Sequence, residues 1–170
     1  MIFRLSQKLS AKIKEGTLRA LPLDENPFAD WSAHLFASDR TQYILLSNTK
    51  SLYSTLLYGR GITNDSEFIE RALSSLREFM QGDSLEFILR RFIAPASASV
   101  QFAKALDRSV TGSMNDMIRH ATYLLAEGDQ SPFDVSSQLN QIPMSALKHD
   151  GSTHGFPRDA FKALAGGVES

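Results

Sequence analysis

The sequence predicts an α+β fold, an antiparallel sheet of four or five strands with helices packed on it. Three observations predict it. Strand-like patterns crowd the first third of the chain, helical periodicity fills the middle, and one further strand pattern comes late. That order lacks the regular strand–helix alternation of a doubly wound parallel sheet. The size fits one domain: 170 residues with 42% hydrophobic and 22% charged side chains form a core without metal or disulfide staples. A single domain over residues 1–165 with a flexible tail at 166–170 is the expected organisation.

The elements follow in chain order. Ile2 to Leu5 reads as a short strand, and Ser6 to Glu15 as a helix that ends at Gly16, a residue tolerant of positive φ. Pro22 and Pro27 mark a loop up to Trp31. Ala33 to Ala37 and Thr41 to Ser47 flank Asp39-Arg40 and predict a hairpin. Tyr43-Ile44-Leu45-Leu46 is apolar on both faces, as a central strand requires. Ser51 to Tyr58 suits a strand or a short helix, and Gly59, closing it after eight residues, favours the strand.

Asn64 and Glu67 form a capping-box pair ahead of Phe68, Ile69, Ala72, Leu73, Leu76, Phe79 and Met80, which share helical spacing up to Gly82. A second helix is expected from Ser84 to Ile93, before Pro95. Val100 and Phe102 alternate as in a strand. Asp107 to Gly112 reads as a polar turn and Ser113 as the cap of the next helix. Its stripe is Met114, Met117, Ile118, Ala121, Leu124 and Leu125, closed by Gly128. Ser131-Pro132 opens a helix to Asn140, His149 to Gly155 is a loop, and Pro157 starts a last helix through Leu164.

Composition excludes several chemistries. Without cysteine there are no disulfides, zinc ribbons, iron–sulfur clusters or thiol nucleophiles, and a reducing cytoplasm is the compatible setting. Eighteen basic and 19 acidic residues leave a net charge of −1, which disfavours a nucleic-acid partner. Arg4, Lys8, Lys12, Lys14 and Arg19 make one basic amphipathic stretch with Leu5, Leu9 and Ile13, read as a solvated face over core contacts. No apolar run reaches membrane-spanning length and no signal-peptide core is present. No metal or cofactor is expected: His34, His120, His149 and His154 are scattered, and no nucleotide-binding or hydrolase signature occurs.

One string is specific. Asp107-Arg108-Ser109-Val110-Thr111-Gly112-Ser113-Met114-Asn115-Asp116 resembles an uncharacterised bacterial domain family whose members carry Asn/Asp-Arg-Ser-Val-x-Gly-Ser-Met-Asn-Asp. Three more stretches resemble it: Ile2 to Ile13, a short strand before a lysine-rich helix; Ser47 to Ser54; and Leu139-Asn140-Gln141-Ile142-Pro143-Met144-Ser145-Ala146-Leu147. Some relatives have a cysteine in the opening strand, which this chain lacks. The resemblance implies no activity and assigns no catalytic residue.

The candidate site is built on that string. A turn at Gly112 feeding a helix N-terminus, with Arg108 beside it, suits a phosphate or carboxylate. Ser109, Thr111, Ser113 and Asn115 supply short polar groups, with Asn48 and Tyr53 able to join from a neighbouring strand. The plainer reading makes Gly112 and Ser113 turn and cap, pairs Arg108 with Asp107 or Asp116, and uses Asn48 to satisfy a turn. Two functions are expected in that light. One is a non-enzymatic cytoplasmic binding or regulatory module with a protein or small-ligand partner. The other is a small enzyme at the Asp107–Asp116 turn, with Asp116 or His34 as proton carrier.

Overall fold

Strand β1 (Ile2–Leu5) lies inside the sheet, parallel to β2 (Asp30–Ser38) on one side and to β5 (Gln101–Ala103) on the other. Strands β3 (Thr41–Asn48) and β4 (Ser54–Tyr58) continue from β2 as an antiparallel meander, giving the order β4-β3-β2-β1-β5. The computed structural model describes residues 1–168. The sheet is therefore mixed and not purely antiparallel. Parallel neighbours need a crossover, and both connections from β1 to its partners are long enough to make one. Alternating residues reveal a strand but not the direction of its neighbour.

The β2–β3 turn is the predicted one, with Asp39 (φ 45°) and Arg40 (φ 65°) both left-handed, the turn whose twist matches paired strands. Two other boundaries move. Helix α1 (Gln7–Lys12) is capped by Ser6 and stops before the expected Glu15, and Lys14 (φ 61°), not Gly16, takes the left-handed position. Only Ser54 onward is strand in the expected Ser51–Tyr58 segment, since Leu52 (φ 63°) belongs to a buried turn.

Helix α2 (Asp65–Gly82) starts as predicted: Asn64 accepts from the Glu67 amide at 2.9 Å. The Glu67 carboxylate closes onto the Thr63 amide and hydroxyl. The short α3 (Glu86–Ile88) runs into a π-helical turn at Leu89–Ile93. Helix α4 (Arg108–Ala126) is followed by α5 (Pro132–Leu139), with a capping box between Ser131 and Asp134, and by α6 (Pro157–Val168). The last helix passes the expected end at Leu164 and takes in residues 166–168 of the expected tail; residues 169–170 lie outside the described ones.

Alternation along the strands divides the core in two. Phe3, Leu5, Trp31, Ala33, Ile44 and Leu46 pack with α1, α2 and Phe161 of α6. Tyr43, Leu45 and Leu56 pack with Met114, Met117 and Ala121 of α4 and with Val135 and Leu139 of α5. Two covered faces explain the continuous apolar run at residues 43–46. The α4 stripe is the predicted one, with Ile118, Leu124 and Leu125 at its half-buried margin.

Arg4 does not belong to a solvated basic face. It is 1% exposed and donates two 2.8 Å bonds to Asp30, with further bonds to the carbonyls of Leu21, Pro22 and Lys104. The predicted core contacts Leu5, Leu9 and Ile13 are all buried.

Candidate functional site

Helix α4 determines where the candidate residues go, and it starts six residues earlier than expected. Asp107, not Ser113, is its cap: the carboxylate accepts from the Val110 amide at 3.0 Å, and the Thr111 hydroxyl donates to the Asp107 carbonyl at 3.1 Å. Gly112 and Ser113 thus lie within the helix, where the Ser113 amide belongs to the helical ladder. One of the amides freed by the first turn, that of Val110, is met by the Asp107 carboxylate, an anion the chain supplies itself. Arg108 and Ser109 are exposed on that turn. Asp116 pairs with Arg119, three residues along the same helix, and not with Arg108.

The helical period then sends the remaining candidates to opposite sides of the core stripe. Ser113 and Asp116, with Arg119, His120 and Tyr123, form one wall of a polar cleft of about 660 Å³. Ile142, Pro143, Met144 and Ser145 form the facing wall, beside Thr153 and His154. Two of the stretches that carry the family resemblance therefore meet across this cleft.

Thr111, Asn115 and Ile118 take the other side. They close a larger cavity of about 920 Å³ against α1, the middle of β2 and Lys104-Ala105. Its walls are mainly apolar, with Leu5, Leu18, Leu35 and Phe36 among them. His34 lines it from β2. The residue is only 8% exposed and no hydrogen bond from the described residues reaches its ring, whose nitrogens stay open to the cavity. Burial holds its pKa below the ordinary 6.5, so the ring is neutral at physiological pH, with one donor and one acceptor nitrogen.

Asn48 and Tyr53 join neither space. Asn48 is fully buried; its amide nitrogen donates to the Pro27 and Asp30 carbonyls, and its oxygen accepts from the Ser51 amide and hydroxyl at 2.9 Å each. Tyr53, also fully buried, stacks on Phe161 with ring centres 4.4 Å apart. Its hydroxyl donates to Asp83 at 2.9 Å, and Asp83 also accepts from Arg158. Burial and the Asp83 charge push the Tyr53 hydroxyl far above its ordinary pKa, while that hydrogen-bonded carboxylate raises Arg158. Both candidates hold the core together.

Residues 2–160 match the family model of a domain of unknown function, DUF6933. The chain belongs to this family. No curated protein and no solved structure matches it. Membership agrees with the resemblance carried by the four stretches, and like it assigns no activity.

Of the seven candidate ligand residues, the structure brings Asn115 to the cavity and Ser113 and Asp116 to the cleft, and leaves Arg108, Ser109, Asn48 and Tyr53 outside both. Among the described residues no three of His, Asp or Glu cluster as a metal site, and no helix is long and apolar enough to cross a membrane. The cavity as a whole escapes sequence reasoning, because its walls come from segments a hundred residues apart. One signal was present. His34 occupies an alternating position of a strand that is otherwise apolar or small, and a polar group in a buried slot is the informative exception.

Proposed function

We propose that this chain is a small-ligand-binding module whose site is the cavity between α1, β2 and α4. One observation carries the reading: a nearly buried imidazole lines an apolar cavity and has no partner in the protein. The ring nitrogens stay open to the cavity, so a ligand there can take the hydrogen bond that water otherwise makes. A volume of about 920 Å³ falls within the range of small-molecule pockets, and apolar walls with a few convergent polar groups are their usual make-up. A cytoplasmic setting is part of the proposal, on the ground of the cysteine-free sequence.

The test is a fragment screen on the whole chain, read by the His34 ring signals in NMR. Ligands of the cavity shift those signals, and the shifts vanish in Ala105→Trp, which fills the cavity from an exposed rim position. A screen whose only hits fall on the polar cleft of α4, or no hits at all, would overturn the reading.

A further inference from the structure

The polar groups of the cavity are unevenly placed. Lys8 and Lys104 sit at its rim, both exposed, and none of the ion pairs among the described residues involves either. Against these two cations the lining sets one carboxylate, Glu15, so the mouth carries net positive charge. At the opposite extreme of exposure lies His34 on β2, and Phe36 and Ile118 line the cavity beside the second core. Asn115 adds a side-chain amide with no hydrogen-bond partner among the described residues.

A ligand that matches each of these has three parts. An anionic head placed near Lys8 and Lys104 stays partly hydrated, where charge is cheap to keep. An apolar body displaces water from Phe36 and Ile118. A hydroxyl at the far end meets the imidazole, which can donate to it or accept from it. A cationic head would face two like charges, and a wholly apolar molecule would leave His34 without a partner in a site that has lost its water.

We propose that the cavity takes a small carboxylate with an aromatic or short aliphatic body and a hydroxyl at its far end, and this rests on the reading of the cavity as a ligand site. The head is held by Lys8 and Lys104 and the hydroxyl by His34.

Calorimetric titration of the full chain with four probes tests it. They are para-hydroxyphenylpropionate; phenylpropionate, which lacks the hydroxyl; tyramine, with a cationic head; and para-ethylphenol, with none. The hydroxy acid binds tightest. Removing its hydroxyl weakens binding about tenfold, the loss expected when a buried polar group goes unpaired. Lys8→Gln combined with Lys104→Gln weakens the hydroxy acid about three- to tenfold and flattens its salt dependence, without touching the core. If tyramine or para-ethylphenol binds as tightly as the acid, the anionic class is wrong, although the cavity remains a ligand site. If none of the four binds, the ligand class falls, and a blank fragment screen beside that result removes the cavity reading too.

Discussion

His34 and Asn48 are both buried polar side chains, and they differ in what they face. Asn48 meets four protein groups, so Asn48→Ala leaves the Pro27 and Asp30 carbonyls and the Ser51 hydroxyl short of partners. That substitution costs about 1–3 kcal/mol, read by urea unfolding. His34 faces a cavity, and its consequence is pH dependence. Its folded pKa lies below the unfolded 6.5, so the unfolded chain binds the proton first. The stability this gives is complete above about pH 6.5 and is lost as pH falls toward the folded value. Lys8, Lys104 and Glu15, the charged groups of the same lining, are common to both proteins, so His34→Gln isolates the effect. Wild-type stability falls as pH drops below about 6.5 and the variant curve is flatter. Superimposable curves would contradict a buried neutral imidazole. Asn48 as a satisfier of its turn was legible in the sequence because it precedes a turn; the void beside His34 was not, because a void has no residues of its own.

At the scale of elements, α4 separates what periodicity reveals from what it hides. Its buried stripe is legible, since Met114, Met117 and Ala121 repeat at helical spacing. Its start is not, because Asp107 and Ser113 are both cap-forming residues and Gly112 between them resembles a turn. A mid-helix glycine costs only about 1 kcal/mol, which packing of the stripe offsets. Asp107→Ala therefore lowers stability by about 1 kcal/mol, while Ser113→Ala shows no capping loss; thermal unfolding of the two variants distinguishes them. The reverse order would restore the later start. A second hidden feature is the outer edge of β4. Ser136 accepts from the Leu56 amide, and Asn140 both accepts from the Ser54 amide and donates to its carbonyl, so α5 side chains stand where another strand would pair. Asn140→Ala unpairs two backbone groups of that edge, costing about 1–3 kcal/mol and favouring self-association. Light scattering that shows no growth in the variant would remove the edge-protecting role. The parallel pairing of β1 is not legible for a related reason: strand direction is set by tertiary crossover, while the strands themselves follow from local pattern.

At the scale of the whole molecule, the chain's end closes the core that its beginning opens. Phe161 of α6 is fully buried, stacked flat on Tyr53 and edge-on to Phe28 and Trp31, which belong to separate segments near the N-terminal half. Arg158 reaches Asp83 at the end of α2 from the same helix, and Tyr53 shares that carboxylate. Sequence reading finds α6 from Pro157 but not this role, since the partners lie far apart in the chain. Truncating Phe161 to Ala removes three ring contacts and opens a cavity, a change that costs about 3–5 kcal/mol. A domain of this size has about 5–15 kcal/mol in all, so the loss is a large share. Tyr53→Phe keeps the stack and removes only one bond to a carboxylate that Arg158 still holds, so its cost stays near 1 kcal/mol. If α6 is integral to the fold, Phe161→Ala lowers the single unfolding midpoint and leaves one transition in calorimetry and in denaturant. An early separate transition, with the rest of the chain melting at the wild-type temperature, would mean that α6 docks on a core that stands without it.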